Sequence, residues 1–192
     1  MQSVCVFAGS RLGIHPEYVD TAVSLGQTLA RAGIRLVYGG SRNGLMGYAA
    51  NEALACGGEV TGIMPTGLFK AEIVHRELTE LIEVSGMHER KAKMGELSDG
   101  FIALPGGIGT FEELFEVLCW SQIGLHRKPV GLLNVRGYYG PLLELIGHSI
   151  REGFSAPASL SSIHVAEDPV TLLQMMNMHE AGIPDKQWEW KG

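Results

Sequence analysis

The sequence predicts an α/β fold, a doubly wound parallel sheet with helices on both faces, built as a single domain. Three observations predict it. Short apolar runs alternate with helix-like segments, the pattern of successive βαβ units. The runs VFAG, FIALPG and VGLL are almost wholly apolar, as strands covered on both faces must be. Three of the runs end in small residues, Ala8-Gly9-Ser10, Gly39-Gly40-Ser41 and Pro105-Gly106-Gly107, at the carboxyl ends where this architecture binds ligands. Right-handed crossovers then make the sandwich Rossmann-like. The chain of 192 residues suits one domain, without linker, repeat or low-complexity tract. The domain is read as residues 1–182 and a polar tail as 183–192, with Trp188 and Trp190 its apolar exceptions.

The elements follow in order. SVCVFAGS (3–10) is a first strand, and a helix over 16–32 is closed by Gly33. RLVYGG (35–40) is a second strand, followed by a glycine-rich turn and a helix over 45–56 that Gly57-Gly58 stops. VTGIMP (60–65) is a third strand. Residues 66–80 show no period and read as irregular. LIEVSG (81–86) is a strand and 87–97 a helix. GFIALPGG (100–107) is a strand and turn, with a helix over 110–122. KPVGLLN (128–134) is a buried strand, and Pro141 suits the first turn of the next helix. IHVAED (163–168) is the last strand, and Pro169 opens the last helix.

Bulk properties exclude several classes. A net charge of -6 argues against a general nucleic-acid binder, which needs a basic face. The start, MQSVCVFAGS, has no basic region and no long apolar run, so neither a signal peptide nor a membrane partner is expected. Cys5, Cys56 and Cys119 are odd in number and far apart, which fits a reducing cytoplasm better than a disulfide framework. The histidines are scattered and no CxxC or HExxH occurs, so no metal site is expected.

Chemistry concentrates at the glycine turns. Gly106, Gly107 and Gly109 let backbone N–H groups approach an anion, the helix N-terminus adds partial positive charge, and Thr110 offers a hydroxyl. The turn from Gly39 through Gly40 and Gly44 to Gly47 has the same layout. A tight strand-to-helix connection without ligand would use one such turn; two at parallel strand ends favour phosphate. Ser10, Gly39, Gly40, Gly44, Gly106, Gly107, Ile108, Gly109 and Thr110 are therefore the candidate phosphate and substrate contacts. Gly39 and Gly44 have Walker A glycine spacing, but Leu45-Met46 follows where Lys-Ser/Thr is needed. Gly107-Ile108-Gly109 meets Glu112 where a dinucleotide fingerprint needs its third Gly, and the next strand ends in Asn134 rather than an acid, so NAD binding is a weak alternative.

Three carboxylates follow the first of these turns at once. On an ideal helix Phe111, Leu114, Phe115 and Leu118 form one apolar face, with Glu112, Glu113, Glu116 and Trp120 opposite. A solvated acidic face explains that helix taken alone. The preceding helix changes the weighing. Arg90 stands in the apolar stripe of Met87, Met94 and Leu97, and a cation there must find a partner or snorkel to water. If the strands on either side of that helix are neighbours, the helix begins beside the Gly106-Gly107 turn. Met87 and Arg90 then face the cleft, and Arg90 with Glu113 makes a reaction centre. A carboxylate near a ribose C1′ stabilises an oxocarbenium ion or activates water, and a guanidinium orients it. The turn would grip a 5′-phosphate and the acid, one helical turn on, would reach the other end of the same sugar.

These residues carry a resemblance. Pro105-Gly106-Gly107-Ile108-Gly109-Thr110-Phe111-Glu112-Glu113 matches PGGxGTxxE, and Met87-His88-Glu89-Arg90-Lys91 matches M-x-x-R-K. Together they resemble the LONELY GUY family of cytokinin-activating phosphoribohydrolases. Gly39-Gly40-Ser41, Gly44-Leu45-Met46-Gly47, the run 128–134 and Gly137-Tyr138-Tyr139 also match, so the resemblance covers roughly residues 3–178. It implies hydrolysis of the N-glycosidic bond of N6-modified adenosine 5′-monophosphates, with AMP as a further substrate, to free base and ribose 5-phosphate. It implies a metal-free, cofactor-free homodimer or higher oligomer with its site near the subunit interface. It makes Arg90 and Glu113 the catalytic pair, assigns phosphate to Gly107 through Thr110, puts Lys91 and Glu116 in the same cleft, and gives Glu72 a ligand contact. Cys119 stands where plant members usually carry Thr, and Gly86 where an acid is common; both bear on the base accepted. Some relatives carry a lysine decarboxylase label, but neither Lys91 nor Lys93 sits in an arrangement for the Schiff base that chemistry needs. A nucleotide sensor without hydrolysis is the rival reading, and a dimer with a vestigial cleft a third.

Overall fold

The computed structural model describes residues 1–67 and 73–179. Its strands are β1 (Ser3–Phe7), β2 (Arg35–Tyr38), β3 (Val60–Pro65), β4 (Glu80–Val84), β5 (Gly100–Ala103), β6 (Val130–Leu133) and β7 (Ile163–Ala166). Its helices are α1 (Pro16–Arg31), α2 (Gly44–Ala55), α3 (Met87–Glu96), α4 (Ile108–Gln122), α5 (Gly140–Arg151), α6 (Ala158–Ser161) and α7 (Pro169–Asn177), with a 3-10 turn at Val135–Gly137. The strands pair in parallel in the order β4-β3-β2-β1-β5-β6-β7. This is the doubly wound α/β sheet that the alternation of elements predicts.

Alternation along each strand divides the core into two layers. Val4 and Val6 of β1 join Leu25 and Leu29 of α1, Ala49 and Ala53 of α2 and Leu172 of α7 on one face. Cys5 and Phe7 join Met94 of α3, Leu114 and Val117 of α4 and Ile146 of α5 on the other. Local signals set the helix ends. Pro16 sits in the first turn of α1, and Asp168 caps α7 by accepting a hydrogen bond from the Thr171 N–H at 2.9 Å.

Four sequence expectations need correction. Helix α4 begins at Ile108, two residues before the expected start, because packing of Thr110, Leu114 and Val117 outweighs the low helix propensity of Gly109. The inward face of α4 is Thr110, Leu114 and Val117, whereas Phe115 is 39% exposed. Apolar residues lie on several sides of this helix, so only its seat on the sheet selects the buried row. Short α6 and the 3-10 turn were not expected from the pattern. Lastly, β4 and β5 are not neighbours: β4 is an edge strand, and β3, β2 and β1 lie between the two. Helix α3 therefore crosses over the sheet, and its first turn lies against the end of β3.

The sheet order reverses between β1 and β5, which opens a crevice beyond their carboxyl ends. The Gly9 N–H donates to the Pro105 carbonyl at 3.1 Å and ties the two strand ends together at that point.

Candidate active site

The connection from β5 to α4 forms the floor of the crevice. Gly107 is the N-cap of α4, and a Cβ on Gly107 or Gly109 would meet nothing within 4 Å, so both face open space. Gly106 is different: a Cβ there would lie 2.1 Å from Thr110 Oγ1 and 2.8 Å from the Gly9 nitrogen. Only glycine lets the turn close over buried Thr110. Among the described residues, no protein acceptor takes the N–H of Gly106, Gly107, Ile108, Gly109 or Thr110. These consecutive unpaired donors, at the positive end of a helix dipole, form an anion site.

Arg90 enters from the first turn of α3. Its side chain is buried, so its donors need protein acceptors. Nε donates to the Ile63 carbonyl at 3.1 Å, and Nη1 donates to Glu113 Oε1 at 3.4 Å. The guanidinium lies across Gly39, where a Cβ would sit 1.6 Å from Nη2. The crossing of α3 over the sheet, not adjacency of β4 and β5, brings Arg90 to Glu113. The apolar stripe with a cation in it thus marks the cleft although β4 and β5 are not neighbours.

Glu113 points inward rather than to the solvated side, with only 14% of its side chain exposed. Burial pushes its pKa up to about 7, against the pull of the Arg90 guanidinium; Glu112 and Glu116 add to the rise. The Arg90–Glu113 contact is long for a charge-assisted hydrogen bond, so neither group is fully engaged by the other. On the outer side of α4, Lys91 Nζ donates to Glu112 and, at 2.9 Å, to Glu116. Burial opposes the Lys91 charge, but these hydrogen bonds outweigh it and hold its pKa above the ordinary value. Lys93 pairs with Glu96 at 3.0 Å. Both lysines are therefore ion-paired, an arrangement unlike that of a Schiff-base amine.

The second glycine turn is occupied largely by the protein itself. Gly44, at φ 63, packs against Gly9 and Ser10, where a Cβ would lie 2.3 Å from the Gly9 carbonyl oxygen. The N–H groups of Arg42, Asn43, Leu45 and Gly47 all have protein acceptors. Gly39 makes room for Arg90, and the Gly40 carbonyl accepts from the His75 N–H at 2.9 Å. These glycines therefore have packing roles independent of any ligand, and they join this turn to the crevice. Ser10 is exposed at the crevice, Met87 lies partly exposed at the start of α3, and Ile108 is 82% exposed at the lip of the anion site. Glu72 lies outside the described residues, as do Trp188 and Trp190.

Sequence reasoning missed several groups around the cleft. Tyr38 and His75 are buried with the hydroxyl 2.9 Å from Nδ1, and burial lowers the His75 pKa. The Arg42–Glu77 pair and the Ser41–Val74 bridge complete a strap from residues 73–77 onto the second turn. Tyr138 and Tyr139 hydrogen-bond to the Gly106 and Leu104 carbonyls respectively. The strand end followed by Gly137-Tyr138-Tyr139 was the visible signal for the last two. His126, by contrast, is held in place structurally between the Val117 carbonyl and the Lys128 N–H.

The chain as a whole has known relatives. The family described as "Possible lysine decarboxylase" matches residues 46–176. The chain is 52% identical over 168 residues to "Cytokinin riboside 5'-monophosphate phosphoribohydrolase" of Rhodococcoides fascians, covering 87% of this chain and 85% of that protein. It is 44% identical over 190 residues to "Cytokinin riboside 5'-monophosphate phosphoribohydrolase LOG1" of Arabidopsis thaliana, covering 97% and 89%. Among solved structures, the molybdenum cofactor binding protein from Rippkaea orientalis superposes with a TM-score of 0.68 at 24% identity, covering 91% of this chain and 94% of that one. The molybdenum cofactor carrier protein of Chlamydomonas reinhardtii gives 0.66 at 22% identity, covering 92% and 98%. At those identities the two structures speak for the fold alone.

Proposed function

The chain belongs to the LONELY GUY family of phosphoribohydrolases, and from that premise we propose that it hydrolyses the N-glycosidic bond of adenosine 5′-monophosphates, N6-modified cytokinin precursors and AMP among them. Water adds to C1′, the bond from C1′ to the base nitrogen breaks, and the base leaves with the bonding electrons and takes up a proton. Ribose 5-phosphate is the other product.

The observation that carries this reading is the buried Arg90–Glu113 contact at the rim of a floor of unpaired amides. From Gly109 to Glu113 is one helical turn, about 6 Å along the axis. That spacing suits a pentose lying between them, its 5′-phosphate on the amides and its C1′ at the acid. The Glu113 carboxylate stabilises the oxocarbenium-like transition state or directs the water. Arg90 orients Glu113 and is positioned to hold a ribose hydroxyl. Ser10 and Met87 border the crevice, and Lys91 with Glu116 braces α3 against α4.

The active unit is a homodimer. What supports this is a cavity of about 350 Å³ beside α4 and α5, one wall of which is formed by the apolar Phe115, Leu118, Cys119, Leu145 and Ile146. Leu145, which lines it, is 60% exposed, and Phe154, just beyond the end of α5, is 86% exposed. A reducing cytoplasm suits the free thiols of Cys5, Cys56 and Cys119.

Incubation of the purified protein with N6-isopentenyl-AMP, AMP and the matching nucleosides, followed by chromatography of free base, tests the proposal. Base release from the monophosphates and little from the nucleosides is expected. Tight binding of the monophosphates without any base release would favour the non-catalytic sensor instead.

A further inference from the structure

The connection that forms the anion site is held in a particular way. A planar trans peptide points its C=O and its N–H in opposite directions, so fixing a carbonyl fixes the next residue's N–H. Each carbonyl from Leu104 to Gly107 has a donor. The Leu104 carbonyl accepts from the Tyr139 hydroxyl at 2.6 Å. The Pro105 carbonyl accepts from the Gly9 N–H, and the Gly107 carbonyl from the Phe111 N–H at 3.0 Å. The Gly106 carbonyl accepts from the Tyr138 hydroxyl. A glycine turn on its own has many conformations, several of which would turn a carbonyl oxygen toward the crevice and repel an anion.

Tyr138 is a rigid donor. Its ring stacks on Phe111 with centroids 6.4 Å apart and meets Tyr18 and Tyr139 edge-on at 5.9 and 5.1 Å. The backbone that delivers it is bent by Arg136 at φ 54 and Gly137 at φ 71, and the Asn134 side chain closes that bend by accepting the Tyr139 N–H at 2.7 Å. Arg136 in turn pairs with Glu17 at 2.7 Å, anchoring the bend to α1.

We infer that Tyr138 is a positioning residue: by holding the Gly106 carbonyl, its hydroxyl aims the Gly107 N–H at the 5′-phosphate of the substrate. The inference rests on the proposed phosphoribohydrolase reading. Tyr139 does the parallel task one step earlier, fixing the end of β5, where Pro105 has no N–H to aim.

Tyr138→Phe keeps the ring stack and deletes only the hydroxyl. The expected result is a rise of about fivefold in KM for N6-isopentenyl-AMP and a matching rise in the Kd of ribose 5-phosphate, with kcat changing less than about twofold. A fall in kcat with the Kd of ribose 5-phosphate unchanged would reduce Tyr138 to a structural role and overturn the inference, as would unchanged KM and Kd. If Tyr138→Phe does not fold, Arg136→Gly, which keeps the hydroxyl but frees the bend that delivers Tyr138 from its anchor on Glu17, is read by the same two constants and should raise both in the same direction. Wild-type protein that neither releases base nor binds ribose 5-phosphate would instead defeat the functional reading, a failure seen without any variant.

Discussion

Replacing Glu113 with Gln should change how stability depends on pH. Burial raises the Glu113 pKa from its ordinary 4.5 to about 7, with the Arg90 guanidinium pulling the other way. The folded protein then holds a proton on Glu113 that the unfolded chain gives up at lower pH. Between pH 4.5 and 7 the folded state binds more protons, so stability falls as pH rises. A rise of roughly 2.5 at about 1.4 kcal/mol for each pH unit gives an upper bound of between about 3 and 4 kcal/mol. Local relaxation and water entry reduce it to the order of 1–3 kcal/mol. Gln cannot ionise, yet it is nearly isosteric with the protonated acid. Urea denaturation of both proteins at pH 5 and pH 8, at one protein concentration, measures the difference. The two should be nearly equal in stability at pH 5, and the variant should be more stable at pH 8. An equal gap at both pH values, or a variant less stable at pH 8, would refute the reasoning. The second outcome would mean that Arg90 outweighs burial and keeps Glu113 charged in the folded protein.

Gly39→Ala places a methyl group 1.6 Å from Arg90 Nη2, so the guanidinium must move. Base release should fall on the order of a hundredfold while ribose 5-phosphate binding stays within about threefold, read by steady-state kinetics and calorimetric titration. Arg90→Lys cannot reach the Ile63 carbonyl and Glu113 together, so kcat should fall by about a hundredfold or more in the same assay. Leu145→Glu puts a charge on an exposed apolar residue of α5, and light scattering should show a dimer for the wild type and a monomer for the variant; a dimer for both would place the interface elsewhere.

The fold was legible because parallel strands are buried on both faces. Val4 to Phe7, Phe101 to Ala103 and Val130 to Leu133 show this as continuous apolar runs. Strand order was not legible, since periodicity along a strand says nothing about its neighbour, and α3 passes over three strands on its way to β5. The site was half legible. Gly106, Gly107 and Gly109 stand out because a strand-to-helix turn with so little side chain is costly without a reason, and Arg90 because a cation interrupts an apolar stripe. The inward turn of Glu113 was hidden: Phe111, Leu114, Phe115, Val117 and Leu118 ring much of α4, and the packing of Thr110, Leu114 and Val117 on the sheet decides which row is buried. Tyr138 was visible within Gly137-Tyr138-Tyr139, but its contact was hidden because its partner, Gly106, lies 32 residues away in the chain. Gly39 was read as part of a phosphate turn, while its packing role appears only once Arg90 is seen lying over it.

Product analysis of wild-type protein and Glu113→Gln with N6-isopentenyl-AMP tests the proposed reaction centre most directly. The wild type should release base and ribose 5-phosphate in equal amounts. The variant should bind the nucleotide within about threefold of wild type yet release base on the order of a thousandfold more slowly. A variant that turns over at the wild-type rate, or a wild type that yields nucleoside and inorganic phosphate, would contradict it.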